Sequence, residues 1–314
     1  MVKRIIPIGV LAIIMLLLCP SYVFASPSLS VSLIGGKGLN PSVVAGENYT
    51  QSLKISFGGN YDVDVSIEVL GYGTDISGNI KMLSPADDNG AISARTFISP
   101  QNQTVHVSAG QQVKASLNVS IPSNINSGGR YAILKIGVIV PNNGTVKTNS
   151  IMVLPVKFTI QGDDINKQGV INNLNVSNSL NNGNIDVAAV FENTGGVHYK
   201  AKCLVTISDD TGVVNTVETP IISYILPNTA REIKISVPAQ GLKENIQYQL
   251  KLVVISDDDV VYAEYIKLIS IENGIVLVDV QDSNLVLILV IVGGFVVLAI
   301  LGIIALKIRK KSKI

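Results

Sequence analysis

The run from Leu285 to Leu306 carries no charged or amide side chain, and Lys307, Arg309, Lys310, Lys311 and Lys313 follow it at once. At about 1.5 Å of rise per residue, a helix of this length spans roughly 33 Å, enough to cross a hydrocarbon core of about 30 Å. A cationic tail is costly to translocate, so the expectation is a single-pass span over 285–306 with residues 307–314 as a basic cytoplasmic tail. Nearly everything upstream is then placed outside the membrane.

The other end carries a complementary signal. Lys3 and Arg4 form a basic start, Ile5 to Leu18 an apolar stretch, and Pro20 and Ser21 a break before Val23-Phe24-Ala25. Small residues at those positions suit signal-peptidase cleavage after Ala25, which makes 1–25 a signal peptide. A second membrane span is the alternative, although the stretch is short for one. Cys19 ends the apolar stretch, but Leu18 stands where lipid attachment favours a small residue. If Cys19 leaves with the signal, Cys203 is the one cysteine remaining and no intramolecular disulfide can form. The exterior portion must then be held by core packing, for which its length suffices.

Net charge is +1, and five positive charges sit in the tail. The exterior is mildly acidic, without the basic field that attracts nucleic acid. Aromatics are 5 % and tryptophan is absent, so flat stacking platforms for sugars or bases are scarce.

Between the ends, apolar residues alternate with polar ones at period two. Leu53, Ile55 and Phe57 alternate with Lys54 and Ser56. Val63, Val65, Ile67 and Val69 alternate with Asp64, Ser66 and Glu68, and Val113 to Ile121 shows the same pattern. Each pattern faces a core on one side and water on the other, as in antiparallel sheets. Val153 to Ile160 closes a first series, Gln161 to Gly169 is polar and turn-rich, and a second series opens at Val170. It continues through Ile185–Phe191, Lys202–Ile207, Ile233–Val237, Tyr248–Ile255 and Val260–Ile269. The expected fold class is all-β, with two tandem Ig-like β-sandwich domains over 26–162 and 163–272 followed by the single transmembrane helix. A single larger β domain is the alternative, and 273–284 reads as a stalk or a final strand.

A short repeat lies in the first series. Ala45-Gly46-Glu47 leads into Ser52 to Phe57, and Ala109-Gly110-Gln111 leads at the same spacing into Ser116 to Ile121. Glycine turns that launch half-buried strands account for it physically, as a duplication would. Leu226-Pro227-Asn228-Thr229 takes the same part before Ile233.

The stretch from Val107 to Val138 pairs a glycine turn with a strand ending in proline and a tyrosine-led strand, and Phe191 to Gly212 carries an Asn-Thr-Gly hairpin region. With a signal, two β domains, one span and a basic tail, this layout resembles the WxL-interacting proteins. The resemblance implies a first domain acting on peptidoglycan and a second on host or partner proteins. It transfers no site residue.

Motifs of catalysis are not found. His106 alternates with Val105 and Val107 and is expected to face solvent, and His198 follows Gly195-Gly196 at a hairpin. One histidine per series, without cysteine or carboxylate spacing beside it, does not make a zinc site or a triad. Lys37 in Gly35-Gly36-Lys37-Gly38 lacks the following Ser or Thr of a phosphate loop. Acidic runs stand at Asp87-Asp88, Asp163-Asp164, Asp209-Asp210 and Asp257-Asp258-Asp259, none with the alternate spacing of a calcium loop. Asp209 to Gly212 reads as a hairpin turn, while Asp163 and Asp164 retain an interdomain calcium alternative. Leu226 to Ala230 resembles a sortase signal in the wrong place, so a turn is expected there. Asn48, Asn102, Asn118, Asn143 and Asn175 begin Asn-x-Ser/Thr sequons, about as many as this composition gives by chance.

The expectation is therefore a non-enzymatic, membrane-anchored surface protein with no cofactor and no metal. Its β domains bind or scaffold cell-wall glycan or surface proteins through loops or an open sheet edge. An accessory subunit of an envelope assembly or secretion complex, acting partly through its span, is the alternative.

Overall fold

A computed structural model describes residues 27–88, 90–139, 150–163, 165–256 and 259–279. The expected signal peptide, span and tail lie outside the described residues. Among the described residues, no helix is long and apolar enough to cross a membrane.

The first series folds into two facing sheets. One runs in the order β1 (Leu29–Leu33), β3 (Asn48–Phe57), β8 (Gln112–Ser120) and β6 (Ile98–Pro100). The other runs β2 (Ser42–Val43), β10 (Ile151–Ile160), β9 (Gly128–Ile139), β4 (Val63–Thr74) and β5 (Ile80–Leu83), with β7 (Thr104–Val107) paired on β4. The alternation read in the sequence decides the faces. Leu53, Ile55 and Phe57 of β3 point into one core with Val65 and Ile67 of β4, Ile136 of β9 and Phe158 of β10. Each such side chain contributes about 1.5–3 kcal/mol on burial.

The repeat has a structural counterpart. β3 and β8 pair antiparallel with Ser52 opposite Ser116, so the repeated strands lie side by side, related by a local two-fold rotation. Their launching glycines, Gly46 (φ +80°) and Gly110 (φ +68°), both take the left-handed conformation that favours glycine.

The second series builds a three-stranded sheet, β11 (Gly169–Val176), β12 (Asn184–Asn193) and β16 (Ala230–Pro238). It faces a sheet ordered β14 (Gly212–Glu218), β13 (Tyr199–Asp209), β17 (Gln247–Ile255), β18 (Val261–Glu272) and β19 (Ile275–Asp279), with β15 (Ile222–Ile225) paired on β13. Its core gathers Ile185, Phe191, Cys203, Val205, Leu252 and Ile269 and is separate from the first. Among the described residues, the strands pair antiparallel except at the short parallel β2–β10 contact.

Within 273–284, expected as a stalk or a final strand, Ile275–Asp279 form a strand. Asn273 and Gly274 turn the chain at positive φ, and β19 returns against β18 with Val276 buried. The second sheet thus extends past 272 to Asp279. Asp209 to Gly212 forms the expected hairpin turn, in which the Asp209 carboxylate accepts from the backbone N–H groups of Thr211 (2.8 Å) and Gly212 (3.1 Å). Leu226 to Thr229 is also a turn, with Asn228 at φ +56° and Leu226 buried.

Candidate functional site

Among the described residues, polar side chains gather at the junction between the sandwiches, in a groove on each sandwich and around His106. At the junction, backbones meet directly. Gly129 N–H donates to Gly196 O at 2.8 Å, and a Cβ on Gly128, which sits at φ +118°, would lie 2.8 Å from the same oxygen. Arg231 is the anchor. In β16 it shares a face with Ile233, Ile235 and Val237, and it is 2 % exposed. Its guanidinium donates to Thr74 Oγ1 (3.1 Å) and Asp75 O (2.9 Å) of the first sandwich, and to Tyr224 O (3.2 Å) and Ala230 O (3.1 Å) of its own. Beside it, Glu232 N–H donates to Ile76 O at 2.9 Å.

An aromatic stack adjoins this anchor. His198 lies between Tyr131 and Tyr224, with ring centroids at 5.5 and 5.0 Å, and Tyr131 Oη is 3.2 Å from His198 Nδ1. Lys157 and Lys200 place their ammonium groups 4.6 and 5.3 Å from the Tyr224 ring centroid. Burial, helped by Lys157 and Lys167, pushes His198 down to about 4. It is therefore neutral at pH 7, and its Nδ1 shares a hydrogen bond with the Tyr131 hydroxyl, whose own pKa burial raises. His198 does follow the turn expected from the sequence, but it faces the opposite sandwich. The junction couples the two sandwiches.

His106 stands where the alternation put it, 60 % exposed on β7. The β4–β7 register sets it opposite Asp64, and its ring nitrogens lie 2.9 Å from Asp64 Oδ1 and 3.4 Å from Asp62 Oδ2. Its pKa is raised, first through the hydrogen bond with Asp64. Among the described residues, no three His, Cys, Asp or Glu side chains converge to hold a metal ion. Asp87 bonds Ser84 and Asp88 bonds Ser93, Asp259 pairs with Lys202, and Asp164, Asp257 and Asp258 lie outside the described residues. Cys203 is buried in the second core, and burial pushes its thiol up to about 12. Asn48, Asn102, Asn118 and Asn175 are exposed, and Asn143 lies outside the described residues.

On the second sandwich, a register shift between Asn172 and Asn175, with Asn173 at φ +53°, distorts β11 beside β12. A groove of about 530 Å³ lies there, with the small side chain of Ala188 among its lining and Asn175, Ser177, Asn181, Asp186 and Ser236 around it. Asp186 accepts from Ser236 Oγ (2.5 Å) and Asn181 Nδ2 (3.0 Å), and these bonds hold its carboxyl below the usual range. The arrangement presents amide and hydroxyl donors around a fixed carboxylate. On the first sandwich, a groove of about 760 Å³ follows Ser66 to Leu70 of β4, between the stretches paired with β7 and β5. Arg95, which lines that groove, approaches Asp88 to 3.4 Å. Neither groove is visible in the sequence as a motif, because pairing and bulging, not spacing, assemble its walls.

No family model matches the chain, and no curated protein matches it. Similar solved structures include a chain of the chaperone–tip adhesin complex of CFA/I fimbriae biogenesis (12 % identity, TM-score 0.41), covering 82 % of this chain and 100 % of that one. The class 5 fimbriae chaperone CfaA is similar over 81 % of this chain and 99 % of its own, at 12 % identity and TM-score 0.38. A chain of the CsuC–CsuE chaperone–tip adhesin pre-assembly complex of Acinetobacter baumannii is similar over 67 % and 91 %, at 14 % identity and TM-score 0.34. The chain's own strand pairing and cores establish an all-β fold of β-sandwich build.

Proposed function

We propose that this chain is a membrane-anchored cell-surface binding or scaffold protein. Its two sandwiches present grooves and sheet edges to cell-wall glycan or to other surface proteins. The observation that carries the reading is the groove beside Ala188. Its neutral amide and hydroxyl groups are arranged about the doubly hydrogen-bonded Asp186 carboxylate, with the Lys234 ammonium as the one cation of the lining, an arrangement suited to recognition by hydrogen bonding. Anchoring follows from the apolar run 285–306 and its basic flank, and the outward orientation from the N-terminal signal.

The test incubates vesicles bearing the full chain with purified peptidoglycan and, separately, with solubilised surface proteins, and scores retention and cleavage together. Retention without cleavage supports a binding module, and Ala188→Trp, which fills the groove, should reduce it at least about tenfold if roughly 1.4 kcal/mol of binding is lost. Cleavage that survives repurification overturns the reading in favour of a hydrolase.

A further inference from the structure

Among the described residues, β1 is an edge strand, paired on one side with β3. Gly58 N–H donates to Ser28 O and Ile34 N–H donates to Ser52 O, which fixes the even-numbered residues of β1 as those bonded to β3. The N–H and C=O groups of Leu29, Val31 and Leu33 therefore point away from β3 along the free edge. Natural edges are blunted by lysine, proline or bulges, and β10 shows the device, since Pro155 replaces an amide on its outward side. Leu29 to Leu33 contains none of these. Leu29 and Val31 pack partly on the core, and Leu33 and Ile34 are 39 % and 38 % exposed.

The segment reads Leu-Ser-Val-Ser-Leu in both directions. We propose that β1 pairs antiparallel with β1 of a second copy of this chain, about a two-fold axis through Val31, joining two four-stranded sheets into one of eight. Leu29 then faces Leu33 of the other copy, Ser30 faces Ser32, and every outward amide and carbonyl of Leu29, Val31 and Leu33 finds a partner. No ionisable side chain lies in the strand, so the pairing opposes no like charges. A second copy is favoured over an unrelated strand because the two-fold operation matches both the residue types and the hydrogen-bonding parity at once. A five-residue ribbon buries on the order of a few hundred Å², below the roughly 1,000 Å² of a stable soluble interface. The contact is accordingly weak in dilute solution and forms when tethering raises the local concentration. The proposal rests on the reading of the chain as a binding module and names one partner for it.

Two differently tagged full-length chains, one Ser30→Cys and one Ser32→Cys, test it when expressed together in one membrane. These residues oppose each other as a non-hydrogen-bonded pair, at about 4.5 Å between Cα atoms, within disulfide reach. Cys203 is buried and does not compete. The expected result is a mixed-tag disulfide dimer in the co-expressed sample, several-fold above either variant alone. Val31→Pro, which removes an outward amide and no bond to β3, should abolish it. Absence of the mixed dimer from a folded, membrane-inserted sample overturns the proposal, as does equal cross-linking of the single variants or cross-linking to a different protein. None of these outcomes alters retention on envelope material, which tests the wider reading separately.

Discussion

Replacing Arg231 with methionine should loosen the two sandwiches from each other while leaving each folded. The guanidinium reaches four acceptors, and two of them, Thr74 Oγ1 and Asp75 O, lie across the junction and share the two N–H groups of Nη1 with Ala230 O. A hydrogen bond from a charged donor contributes about 1.5–3 kcal/mol, so the crossing pair represents at most about 6 kcal/mol. Against this stands the cost of holding a cation in a site where burial disfavours its charge, which methionine relieves. The net loss is expected at about 2–4 kcal/mol of coupling. Gly129 N–H to Gly196 O and Glu232 N–H to Ile76 O remain, so the junction weakens without dissolving. Urea unfolding of the full chain, followed by circular dichroism, should show one transition for the parent and an earlier or split transition for the variant. Thr74→Val, which removes one of the two crossing acceptors, should show a smaller effect of about 1 kcal/mol. A midpoint and slope unchanged in Arg231→Met would refute the assignment of Arg231 as the anchor.

Gly128→Ala should also weaken the junction, by about 1–3 kcal/mol, because it adds a Cβ against Gly196 O at a positive φ; Gly110→Ala, with open space around it, should cost less in the same unfolding assay. The two imidazoles should titrate apart by NMR, His106 above the ordinary histidine range and His198 near 4. Because His198 is depressed when folded, the unfolded chain binds more protons between about pH 6.5 and 4. Stability should therefore fall as pH drops through that window, by at most about 3 kcal/mol, and His198→Asn should flatten the dependence. Cys203 should resist thiol reagents in the native protein and react on unfolding, as a buried thiol with a pKa raised to about 12 implies. Residues 27–162 and 168–279 should each unfold cooperatively when expressed alone, since each holds its own core; failure of both would favour one larger domain.

Local chemistry determined much of this protein. Alternation at Leu53 to Phe57 and Ile233 to Val237 marked buried faces that tertiary packing retained, because a strand's side-chain period is two whatever it pairs with. Turn chemistry placed Asp209 to Gly212 and Leu226 to Thr229, since asparagine, aspartate and glycine set backbone geometry within a few residues. Short edge strands such as β15 and β19 carried weaker signals, being bounded by their partners more than by their own pattern. Only the tertiary structure decided that Asp64 meets His106 across 42 residues, and that Arg231, polar in a core-facing phase, anchors the opposite sandwich. It also decided that β3 and β8 lie together and that β1 is left at an edge. The reason is that hydrogen-bonding partners in a sheet are chosen by chain topology, and sequence spacing does not encode which strand lies beside which.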